Sequence, residues 1–319
     1  VTAVAPMGDR VRAAMSPPAA GRPRKRRWSR FGLVAVAPFA LFLVVFGIYP
    51  MVQLVTMSIS NVTILHGGFR YQPAGLGNFA RIFTDPDTAP VVGVTIVFIA
   101  CAVVLTVVLG TFLAVMLDRA PFMRRVARRM LIWPTVIAPV VVSVIWMLLL
   151  SPAIGLVNKV LAALGLPQQG WLGEPAGALI AIIVVDVWHW APLVFLLVYT
   201  ALQSLDPEVL EAARVDGAGE GRVIRQVVLP MIRPAIVTAA VIRLVMCVKA
   251  FDEMYLLTHG GPGNATNLIS LDIRTIFFDR LEFGYGAAIG VAIIIVFVLL
   301  GGIFAAVRRF ATGREAAHA

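Results

Sequence analysis

Ionisable and aromatic side chains stand in two otherwise apolar stretches of this 319-residue chain. The first carries Asp186, with His189 and Trp190 three and four positions later, so the three share a face if the stretch is helical. The second carries Lys249, with Asp252 and Glu253 at the same two spacings, and Arg243 about two turns earlier. Carboxylates accept hydroxyl protons, and an indole ring stacks on the face of a sugar ring, so Asp186, His189, Trp190, Lys249 and Asp252 could line a path for a polyhydroxylated solute. The same groups could instead brace helices, Lys249 pairing with Asp252 or Glu253 and Asp186–His189 forming a strut. An ionised group at mid-bilayer costs about 2.5–3.5 kcal/mol on insertion scales, so either way these residues face protein or water. Spacing alone favours the brace.

Covalent chemistry has no such support. The chain has three lysines, Lys25, Lys159 and Lys249, and none follows a glycine as a phosphate-binding loop requires. The four histidines lie far apart, no zinc-type pair is spaced for one helix face, and no Gly-x-Ser-x-Gly elbow occurs. Cys101 and Cys247 both fall in apolar runs and read as small core residues. The expectation is no catalytic residue, no metal and no cofactor on this chain; work driven by ATP needs another subunit to bind the nucleotide.

The elements that hold these residues are set by hydropathy. With 60% hydrophobic and 14% charged residues, and a mean hydropathy of +0.90, the chain has too little polar surface to clothe a water-soluble globule. Six segments reach the roughly 20 apolar residues that a span needs: about 31–55, 90–117, 130–150, 177–200, 236–257 and 284–307. Runs such as Ile289 to Ile303 hold no polar residue beyond glycine, which excludes the strict alternation of barrel strands. The fold class expected is all-α, a polytopic bundle of about six transmembrane helices. Residues 1–30, rich in Pro, Ala and Arg, and 311–319 read as cytoplasmic tails flanking a membrane domain over 31–310.

Charge sets the orientation. Of 27 basic residues, 20 fall in four segments (before Phe31, 119–129, 201–235 and after Val307), against five in the three alternating ones. That positive-inside bias places both termini and the loop 201–235 in the cytoplasm, and makes the net charge of +10 a topology signal rather than a nucleic-acid footprint.

The loop 201–235 is the most informative stretch. Asp206-Pro207-Glu208 is a helix start, with an N-cap acceptor, proline at the first helical position and acid near the positive end of the dipole. The helix runs to Arg214 and breaks at Asp216-Gly217. A second amphipathic helix follows, Val223, Ile224, Val227 and Val228 on one side and Arg222, Arg225 and Gln226 opposite, closed by Pro230 and Pro234. Two short helices at an angle with a small-residue tip suit either insertion into a groove on a partner or contact with anionic lipid.

Glu211-Ala212-Ala213-Arg214-Val215-Asp216-Gly217-Ala218, followed by Val227-Val228-Leu229-Pro230, resembles the Glu-Ala-Ala loop of membrane subunits of binding-protein-dependent bacterial ABC importers. Gly75-Leu76-Gly77-Asn78-Phe79 and Phe251-Asp252-Glu253-Met254-Tyr255 through Gly263 resemble the carbohydrate-uptake group, similar to the maltose-transporter membrane subunits. Gly221 and Ile224 depart from positions that are often aromatic there. The resemblance implies a type I importer permease in a bacterial cell membrane. It also implies a sugar or polyol as cargo and a cytoplasmic ATPase dimer docked on Glu211, Ala212, Ala213, Asp216, Gly217, Ala218, Leu229 and Pro230. A second, usually different permease and an extracytoplasmic solute-binding protein would complete the complex. The alternative from another class is a secondary transporter driven by H⁺ or Na⁺ with Asp186 and Lys249 as relay; six spans without an internal repeat count against it.

Overall fold

The computed structural model describes residues 30–65, 67–119 and 132–316. Residues 1–29 of the expected tail 1–30, residues 317–319 of the expected tail 311–319, and most of the expected loop 118–129 lie outside them; residues 311–316 continue the last helix instead. Cα packing divides the chain into two units, Val1–Gln53 and Leu54–Ala319. In the first unit, α1 (Arg30–Leu43) passes through a π turn (Val44–Ile48) into the start of α2 (Tyr49–Ser58), whose last five residues belong to the second. The apolar side chains from Val34 to Val52 are exposed, as suits a helix in hydrocarbon, where lipid leaves little reason to bury them.

In the second unit a hairpin, β1 (Ser60–Leu65) and β2 (Gly68–Pro73), pairs antiparallel with Ser60 opposite Pro73. It leads into α3 (Gly77–Thr84), whose buried Asn78 donates to the carbonyls of Ser58 and Ser60 at 3.1 and 3.0 Å. The bundle follows: α4 (Thr88–Asp118), α5 (Pro139–Leu149), α6 (Leu156–Ala163), α7 (Pro175–Leu202), α8 (Pro207–Val215), α9 (Glu220–Val223), α10 (Leu229–Val248), α11 (Asp252–Thr258), α12 (Ile269–Arg274) and α13 (Phe283–Ala316).

Five described helices are long and apolar enough to cross a membrane, and they fall on the expected first, second, fourth, fifth and sixth spans. The third differs. A helical stretch at 132–136 stops at Ile137, Ala138 is extended (φ −63°, ψ 140°), and α5 restarts at Pro139. A residue before proline is pushed out of the α region, so the span breaks there.

α7 is the central helix: 61% of its apolar window is buried, against 28% in α4 and 22% in the span Glu220–Val248. It meets two cores. One, at the hairpin end, gathers Phe98, Val142, Ile182, Met254 and Leu268; the other, at the elbow end near α8, gathers Val115, Phe195, Val198, Val223 and Ile232. The parallel pair α4–α7 packs closely because residue 110 is glycine: a Cβ there would stand 2.7 Å from Cβ of Val194. Gly110→Leu is therefore expected to destabilise the fold by about 1–3 kcal/mol or more through overpacking, read as a lowered thermal midpoint in detergent. Substituting lipid-facing Val108 with Leu should leave the midpoint unchanged.

Candidate functional site

The elbow is built from local signals. Asp206 caps α8, its carboxylate accepting from the backbone N–H of Glu208 at 3.0 Å. At the other end the N–H of Gly217 reaches the carbonyl of Arg214 (3.0 Å) and the N–H of Ala218 reaches that of Ala213 (3.1 Å). Those two bonds close a Schellman motif, with Gly217 at φ +82° in the left-handed position that glycine occupies without a Cβ penalty. Leu210, Ala213 and Ala218 pack toward the elbow-end core, whereas Glu211, Ala212, Val215, Asp216 and Gly217 are exposed. Val215 stands 86% exposed, an unusual position for an aliphatic side chain on a polar knuckle.

Two residues not expected to matter fix the elbow's angle. Glu220, the first residue of α9, accepts from Arg214 Nε at 2.8 Å and also pairs with Arg119 at the end of α4. It thereby ties both arms of the elbow to a spanning helix. No sequence-local rule marks this contact, because Arg119 lies 101 residues away.

The second arm corrects an expectation. Pro230 and Pro234 do not close a short helix: the chain runs helical from Glu220 to Val248. A π segment, Ile224–Val228, precedes Pro230, and the N–H of Leu229 reaches back to the carbonyl of Ile224. Proline near the start of a helical segment loses an N–H that a regular turn would have used, and the wider turn accommodates this. The expected stripe holds, with Val223 and Val228 buried, Ile224 and Val227 half-buried, and Arg222, Arg225 and Gln226 exposed. Leu229 is half-buried against the elbow-end core and Pro230 is exposed. One continuous rod therefore joins the elbow to mid-bundle.

At mid-bundle the polar residues sort into two groups. Asp186 and His189 are each 1% exposed. Asp186 pairs with Arg243, itself 1% exposed, which binds α7 to α10. His189 Nδ1 meets Glu253 of α11, and Nε2 lies 3.2 Å from the carbonyl of Ile137. Lys249, Asp252 and Trp190 are the accessible ones, the first two exposed and the third half-buried. The expected pairing within the fifth span does not form. That span ends at Val248, Lys249 leaves the helix (φ −96°, ψ 11°), and α11 starts afresh at Asp252. The i+3 and i+4 neighbour relation thus lapses, Glu253 turns to His189 instead, and Lys249 makes no ion pair among the described residues. Arg243 and Glu253 were overlooked as partners because their counterparts, Asp186 and His189, lie 57 and 64 residues away.

Residues 106–311 match the family described as binding-protein-dependent transport system inner membrane component. The chain belongs to this family. The permease is 34% identical over 279 residues to a probable ABC transporter permease protein, y4oQ, of Sinorhizobium fredii, covering 86% of this chain and 89% of that one. It is 29% identical to the trehalose/maltose transport system permease protein MalF of Thermococcus litoralis, over 90% of this chain and 96% of that one. It is 31% identical to the diacetylchitobiose uptake system permease protein NgcF of Streptomyces coelicolor, over 92% and 88%. Its fold matches a chain in the crystal structure of a bacterial ABC transporter involved in the import of alginate, with TM-score 0.73 at 23% identity, covering 83% and 90%. The permease is thus a multi-pass membrane protein of the ABC transport class, and nothing favours the ion-coupled alternative.

Proposed function

We propose that this permease forms the transmembrane path for a sugar or polyol in an ATP-driven importer and couples to a separate ATPase dimer through its elbow. The observation that carries the reading is the elbow itself: a capped, glycine-closed knuckle presents Glu211, Ala212, Asp216 and Gly217 outward while Leu210, Ala213 and Ala218 hold it on the bundle. Small exposed residues allow close backbone approach by a partner's groove, and the rod Glu220–Val248 carries displacement of the elbow to mid-bundle. Leu229 and Pro230 lie on that rod. A sugar as cargo is supported by the names of the trehalose/maltose and diacetylchitobiose permeases.

Along the path, Trp190, Lys249 and Asp252 are the side chains placed to meet a hydroxylated solute, and Asp186 and His189 act as braces. A second, different permease completes the path, a solute-binding protein delivers cargo on the hairpin side, and both termini face the cytoplasm. The test is uptake of labelled maltose and trehalose into proteoliposomes holding this permease, its partner permease, the ATPase and the binding protein. Uptake is expected to require internal ATP and to survive a protonophore. Uptake that persists without ATP and stops with the protonophore would overturn the reading.

A further inference from the structure

His189 stands where two broken spans meet. The break at 137–139 frees the carbonyl of Ile137 from helical bonding, and that carbonyl lies 3.2 Å from His189 Nε2. A carbonyl only accepts, so Nε2 donates to it, and the contact between Nδ1 and Glu253 is closed by a second proton that the two groups share. Glu253 sits in the first turn of α11, directly after the break at 249–251. One side chain on the central helix therefore contacts both interruptions. Beyond them, α5 and α11 pack on each other, Val142 with Met254 and Leu257 in one buried cluster. Neither break is a ragged defect: the carbonyl of Ala250 is taken by Ser270 Oγ.

We infer that His189 is a positioning residue that pins the two breaks together, so that α5 and α11 move as one flap hinged at 137–139 and 249–251. The rod ending at Val248 is held to α7 separately, by Arg243 on Asp186. Along the chain, movement of the rod reaches the flap across the break that His189 guards, and α7, which packs on both flap helices, carries His189 itself. This rests on the permease reading above, and it gives His189 no contact with cargo.

The test uses the complete importer in proteoliposomes without sugar. Spin labels sit at Leu148 on α5 and Ile180 on α7, exposed by 57% and 54%, in a Cys101→Ser, Cys247→Ser background, and pulsed EPR reads their separation. One narrow distance is expected in the nucleotide-free parent. His189→Leu and Glu253→Leu should each split it into two populations, and the double variant should split it no further than His189→Leu, because each breaks the contact between the two side chains. A single unchanged distance in both variants, with the ATPase still bound, would overturn the pin. A parent that retains no ATPase would instead overturn the permease reading.

Discussion

Gly217→Pro in the assembled importer is expected to cut ATP-driven uptake by roughly 5- to 150-fold. Proline fixes φ near −65°, whereas residue 217 sits at +82°, and the ring deletes the N–H that reaches the carbonyl of Arg214. The Schellman closure is then lost. Ala218 can no longer meet Ala213, and the knuckle swings away from the angle that Glu220 and Arg119 set. Backbone strain of about 1–3 kcal/mol corresponds to a roughly 5- to 150-fold loss of the docking-competent elbow. Gly217→Asn is the control, because asparagine enters left-handed space at little penalty and should keep most of the activity. Uptake and co-purified ATPase are measured together. Parental values of both for the proline variant would remove the elbow from the coupling route.

Arg243→Ala should be the most destabilising single change in the bundle. It strands the Asp186 carboxylate, 1% exposed, in the middle of the spanning helices. Breaking a buried pair from one side costs about 3–5 kcal/mol, a large share of an ordinary folding free energy. The variant's abundance in the membrane and its thermal midpoint in detergent should both fall sharply. Asp186→Leu combined with Arg243→Met removes both charges and should restore the midpoint, since apolar replacement of a whole buried pair is often neutral or better. If the double variant is as unstable as the single, the packing of Arg243 beneath Trp190 (5.8 Å from guanidinium to ring centroid), rather than its charge, is what holds α7 to α10.

Both expectations draw on different layers of information, and the difference is physical. Features that depend on neighbours within about four residues, or on bulk transfer to lipid, were legible in the residue order. Hydropathy placed four spans close to their final bounds, because a helix in hydrocarbon must satisfy its own backbone whatever it packs against; the fifth, expected at 236–257, instead runs from Glu220 to Val248. Asp206, Pro207, Gly217 and the small residues between them spelled out the elbow, since capping and a left-handed closure are chosen locally. Pro139 was equally visible, but whether a proline bends or breaks a span depends on which partner takes the freed carbonyl; for the carbonyl of Ile137 that partner is His189, 52 residues from it. The same holds for Lys249. Spacing paired it with Asp252 and Glu253 only on the premise of an unbroken helix, and packing of α11 against α5 and α7 took that premise away. Tertiary structure alone decided that Arg243 answers Asp186, that Glu253 answers His189 and that Glu220 answers Arg119. These contacts join helices far apart in the chain, and no local pattern encodes a neighbour that arrives only when the bundle closes.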